Sequence, residues 1–120
     1  MKHHIIIALG STHLPVAHIQ WASQRLTHLF DDVRLSRCLW TQDIKGTGIW
    51  YMNRLAYATT TLPVDQLQAL LKDIEAETGR TKQCITIDLD LMQYDSQRYH
   101  DKDWERPYIQ KLSSLRIQKN

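Results

Sequence analysis

The chain has little cysteine, no long apolar run, no block of like charge, no internal repeat and no low-complexity tract. Each absence excludes something. The two cysteines, Cys38 and Cys84, fit no metal-ligand spacing. MKHH is too short for a secretory n-region leading into a proper h-region. Reduced thiols in a cytoplasmic protein are therefore the expectation. The longest apolar run near the start, IIIAL at 5–9, is far too short to span a membrane. The formal charge is only +2, with acids and bases interspersed, so bulk electrostatics select no polyanion. Neither nucleic acid nor membrane is an expected partner, and oligomeric state is not encoded in any pattern.

What is present is a chain of 120 residues, one domain (1–120) by length, whose 42% apolar content suffices for a core. Residues 3–9 read as a buried strand ending at Gly10. From Pro15, the residues Val16, Ile19, Ala22, Leu26, Leu29 and Phe30 recur at spacings of three and four. That is an amphipathic helix with proline in its first turn. Residues 33–41 read as a second strand marked by Val33, Leu35 and Leu39, QDIKGTG as a flexible loop, and 49–62 as a third strand. Pro63 opens a second helix with Asp65 at its positive end, a stripe of Leu67, Leu70, Leu71 and Ile74, and Gly79 as its C′ residue. Residues 85–94 form the fourth strand and 104–117 a short last helix, with Pro107 near its beginning. The expected fold is α+β: a ferredoxin-like βαββαβ sandwich, an antiparallel sheet with two helices on one face, plus a C-terminal helix.

The fourth strand, ITIDLDLMQY, contains the oddity. Ile85, Ile87, Leu89 and Leu91 fall on one face; Thr86, Asp88, Asp90 and Met92 fall on the other. Aspartate is a poor strand former. A one-residue slip would bury both charges, so the register is firmly set. Strand rise separates the two aspartate Cα atoms by about 6.5–7 Å. With the helices over the isoleucine face, the aspartates lie on a sheet face left free. Two readings fit: a seat for a divalent cation, or an ordinary solvated face.

Five segments, in order, narrow the choice. IALGST at 7–12, YMN at 51–53, EAETGR at 75–80 and TIDLDLM at 86–92 are followed by His100, Arg106 six positions on and Tyr108 two further. Together they resemble the 6-hydroxymethyl-7,8-dihydropterin pyrophosphokinase family. The resemblance implies an enzyme of folate synthesis in which ATP, as co-substrate, gives its β,γ-pyrophosphoryl group to the hydroxymethyl oxygen of a reduced pterin. It implies two Mg²⁺ ions on Asp88 and Asp90, an arrangement suited to a transfer that needs charge neutralisation and alignment. By the same resemblance Tyr51 stacks on the pterin, Asn53 bonds its edge, Tyr108 forms the second wall, Gly10 admits close approach and Thr41 adds a contact. Arg80, Lys82, His100 and Arg106 would reach ATP phosphates, with Arg80 and Arg106 catalytic beside the aspartates, and Glu75 would shape the nucleotide side. Plainer readings stand beside these: helix packing for Tyr108, a helix C-terminus complemented by Arg80 and Lys82, an exposed helix position for Glu75. The remaining histidines form no ligand cluster, and the four tryptophans read as packing residues or loop anchors.

The sequence also departs from the family pattern. Ile85 stands where an arginine is usual, and Lys82 where arginine is general. TKQC is too short for the flexible catalytic loop that closes over ATP. TQDIKGTGIW lacks the usual prolines, and family members usually continue beyond the equivalent of Asn120 with a further segment on the core. A slow enzyme and a pterin- or nucleotide-binding relative without turnover are both compatible. So is a ferredoxin-like interaction or RNA module stacking bases on Tyr51 and Tyr57, although two aspartates on that face would repel phosphate.

Overall fold

The computed structural model describes residues 1–43 and 45–114. In chain order it contains β1 (His3–Ser11), α1 (Pro15–Leu29), β2 (Asp31–Leu35), β3 (Leu39–Gln42), β4 (Trp50–Thr60), α2 (Val64–Glu77), β5 (Asp88–Tyr94), β6 (Gln97–Arg98), α3 (Asp101–Trp104) and α4 (Pro107–Ser114). The fold is mixed α+β: one open six-stranded sheet, paired antiparallel throughout, and, among the described residues, four helices. The strand order is β2-β4-β1-β5-β6, and β3 also pairs with β4.

Alternation along the strands divides the core into two layers. On one face Ile5, Ile7 and Leu9 of β1 and Leu89 and Leu91 of β5 meet Ile19, Ala22 and Leu26 of α1 and Leu67, Leu71 and Ile74 of α2. These periodic positions supply the apolar stripes that hold both helices to the sheet. The opposite face, expected from the sequence to be free, is partly covered. Leu55 and Met92 pack there under Ile109 and Leu112 of α4. The last helix thus closes one end of this face and leaves the other as a recess.

Three element boundaries differ from expectation. The second strand is two strands. Leu35 pairs with Ala56 and Leu39 with Asn53, so four steps on one chain oppose three on the other. That is one extra residue, and it flips the facing of everything after it. Leu35 accordingly packs toward the helices and Leu39 toward α4. Ser36 bridges the break: its N–H donates to the Leu55 carbonyl (2.9 Å) and its hydroxyl accepts the Leu55 N–H (2.8 Å). The fourth strand begins at Asp88 rather than 85, because the Ile85 carbonyl is taken by the Thr12 N–H at 2.9 Å and the Thr86 carbonyl by the Ser11 hydroxyl at 2.6 Å. The last helix is two, divided before Pro107, which cannot donate a helical hydrogen bond and starts α4; residues 115–117 lie outside the described residues.

The tryptophans also divide. Trp21 packs at the core margin, and the Trp104 indole N–H bonds the Met92 and Tyr99 carbonyls (3.2 and 3.1 Å) with Arg98 over its ring. Trp40 and Trp50 are exposed on the β3–β4 hairpin and anchor nothing in the core.

Candidate active site

The register aligns the site. Across the open end of the sheet, Asn53 stands opposite Gly10 and Gly10 opposite Asp88; Asp90 follows beside Ala8, and Tyr51 beside Thr41. All face the recess beside α4. The extra residue between β2 and β3 is what turns Thr41 to this side. Gly10 makes a bare floor: a Cβ there would meet Asn53 Oδ1 at 3.7 Å and Tyr51 Cδ2 at 3.9 Å, ordinary contact distances. The backbone therefore does not demand glycine here, whereas an open floor does. The Asn53 amide nitrogen donates to Thr41 Oγ1 (2.8 Å), fixing the amide plane and turning Oδ1 over that floor.

A cavity of about 250 Å³ results, walled by Gly10, Thr41, Tyr51, Asn53, Asp88, Asp90, Arg106 and Tyr108 among others. Eight residues singled out from the sequence thus meet in one space, contributed by β1, β3, β4, β5, the α3–α4 junction and the start of α4. Burial raises the phenol pKa of Tyr108 and of Tyr51, the latter helped by the Asp43 and Asp88 charges, so both rings are neutral walls at physiological pH.

The aspartates are unlike each other. Asp88 accepts from Arg80 Nη2 at 3.3 Å. Asp90 is pushed up to about 6, first by burial and then by the Asp88 charge; the His100 imidazole, with Nε2 4.0 Å away, opposes this. Two carboxylates held together without enough counter-charge suit a hard cation. Among the described residues no three His, Cys, Asp or Glu side chains converge to hold a metal by themselves. The donor set fits Mg²⁺, which takes one or two carboxylates and fills its shell with water and substrate oxygens.

The other expected residues fall outside the cavity wall. Arg80 is not a helix cap, since its guanidinium turns to Asp88. Lys82 is exposed in the loop after α2 and does not line the cavity. His100 stands at the rim in a left-handed conformation, φ 56°. Glu75 is neither exposed nor on the cavity surface. Only 3% accessible, it lies behind β5, its Oε2 accepting the Leu89 N–H at 2.7 Å, and burial raises its pKa.

Sequence reasoning missed Asp43, Lys45 and Asp103, all on the wall. Asp103 pairs with Arg106 at 3.0 Å. Opposite charges three residues apart were a readable signal for it. Asp43 folds the β3–β4 loop by accepting from the Lys45 N–H (3.2 Å) and the Thr47 hydroxyl (2.8 Å), a turn its side chain favours. Four aspartates and three basic residues then line the cavity. An acidic wall repels phosphate unless a cation intervenes.

Among the described residues no helix is long and apolar enough to cross a membrane. The comparison with curated proteins gave no match. The family model for 7,8-dihydro-6-hydroxymethylpterin-pyrophosphokinase (HPPK) matches residues 6–116. That span contains the whole floor, the aspartate pair and both aromatic walls, and the chain belongs to the HPPK family, enzymes that use ATP and Mg²⁺ to transfer pyrophosphate to hydroxymethyldihydropterin in folate biosynthesis.

Proposed function

We propose that this chain catalyses the family reaction in the cavity beside α4, as a slow member. The observation that carries this is the meeting of the aspartate pair with the Gly10–Asn53–Tyr51–Tyr108 recess in one space of about 250 Å³. A flat heterocycle lies on the bare Gly10 floor between Tyr51 and Tyr108, its donor edge read by Asn53 Oδ1 and Thr41. Its hydroxymethyl oxygen attacks the β-phosphorus of ATP. The bond from that phosphorus to the α,β-bridging oxygen breaks, AMP leaves, and the hydroxyl proton passes to solvent or a phosphate oxygen. Two Mg²⁺ on Asp88 and Asp90 would supply charge neutralisation and in-line alignment. Arg106 and Arg80 add positive charge where the leaving group develops negative charge. His100 at the rim is placed for a phosphate oxygen. Lys82 offers only a mobile point charge, and Glu75 acts from behind the strand. The β2-β4-β1-β5 core order is consistent with the ferredoxin-like plan, and two cysteines without a disulfide suit a cytoplasmic setting.

Slow turnover is favoured by the 80–87 segment. Thr81 N–H donates to the Cys84 carbonyl, and the Cys84 N–H to Thr81 Oγ1, both at 3.0 Å, making a closed turn rather than a lid. Ile85 brings no charge. One missing transition-state cation costs roughly 10²–10³ in rate. The test is AMP formation from ATP, Mg²⁺ and the reduced pterin, with Asp88→Asn and Asp90→Asn as controls. Ligand-induced thermal stabilisation without AMP selects the second reading, a binding relative; neither signal refutes both.

A further inference from the structure

We infer that Glu75 is the positioning residue of the aspartate pair, holding β5 in register from behind through the Leu89 amide; this rests on the active-site reading above. β5 pairs with β1 along one edge, with Asp88 opposite Gly10, Leu89 opposite Leu9 and Asp90 opposite Ala8. Its other edge meets a strand only at Gln93 and Tyr94, through β6. From Asp88 to Met92 that edge has no strand neighbour among the described residues. An antiparallel strand sends alternate N–H groups to opposite edges, and the Leu89 N–H points to the open one. It is not in water: Leu89 is 2% accessible. An orphan amide there would carry a full desolvation penalty.

Glu75, one turn from the end of α2, fills the gap. Its Oε2 accepts the Leu89 N–H at 2.7 Å, while Oε1 lies 3.6 Å from Lys72 Nζ at the solvent side. One helix carboxylate thus replaces the missing neighbour strand at the residue between the two aspartates. Leu89 is also pinned through its side chain in the helix-facing core. With backbone and side chain both fixed, Asp88 and Asp90 have only their own χ angles left to move. Groups that orient metal ligands from behind are worth about 10–100-fold in metal affinity.

Two substitutions separate reach from charge. Glu75→Gln keeps an acceptor oxygen at the same length and removes the charge. Glu75→Asp keeps the charge and falls one methylene short. Calorimetry would follow binding of a non-hydrolysable ATP analogue with Mg²⁺, and separately of the reduced pterin. Amide exchange would follow Leu89. The expected result is a loss of about 10–100-fold in Mg²⁺-dependent analogue affinity for Glu75→Asp, with faster Leu89 exchange and little change in pterin binding. Glu75→Gln should stay within about threefold of wild type with Leu89 still protected. Equal losses in both variants, or a Glu75→Asp protein that melts earlier yet keeps its Mg²⁺-analogue affinity, would overturn the inference. A wild-type protein that binds no Mg²⁺-analogue would instead sink the active-site reading, and this inference with it.

Discussion

Asp90 should make the ligand-free protein less stable as pH rises. Its carboxyl titrates near 6 in the fold, chiefly because burial and the Asp88 charge penalise the ionised form, against an ordinary value of 3.8. Between those two values the folded state binds more protons than the unfolded chain. Unfolding free energy therefore falls as pH climbs from about 4 to about 6, and the penalty is complete above that. A difference of about two units is worth at most ~3 kcal/mol. With 30% of the side chain accessible, solvent screens part of this, and about 2 kcal/mol is the expected size. Asp90→Asn removes the titration at nearly constant volume. In urea unfolding at a series of pH values, the variant should match wild type near pH 4 and exceed it by about 2 kcal/mol at pH 7.5. Saturating Mg²⁺ and nucleotide should reverse the order, because they stabilise only the form that binds them. A difference that stays flat across this pH range would refute the reasoning, as would a less stable variant at pH 7.5.

Other outcomes follow from the same geometry. Gly10→Ala should leave thermal stability nearly unchanged, since the added methyl meets nothing closer than 3.7 Å, while its bulk on the floor weakens calorimetric pterin binding by about tenfold or more. Leu112→Ala empties a fully buried position under α4 and should cost about 2–5 kcal/mol in urea unfolding, with pterin affinity falling as Tyr108 loses its support. Arg80→Lys keeps the charge beside Asp88 but not the planar fork; steady-state AMP formation should show KM for ATP rising about tenfold, and an unchanged KM would remove Arg80 from the site.

Much of the molecule follows from local pattern. Pro15 and the three–four spacing set α1, the Leu67–Ile74 stripe set α2, and strict alternation placed Asp88 and Asp90 away from the helices. These are short-range effects of backbone period on which face meets water. The resemblance picked Gly10, Thr41, Tyr51, Asn53 and Tyr108 from four separate segments, and all line the cavity. What pattern could not supply was pairing. Val33, Leu35 and Leu39 look like one alternating strand; only the partner strand counts three residues where this one spends four, and that count decides which way Thr41 faces. Glu75 reads as a helix surface position until β5 is seen to lack a neighbour at Leu89. The free sheet face was expected because both main helices lie on the other one; Leu55 and Met92, far apart in sequence, make the apolar seat that draws α4 in. Period and charge are properties of neighbours along the chain, so the sequence determined them alone. Register, edge and burial depend on residues brought together from a distance, and only the tertiary structure decided those.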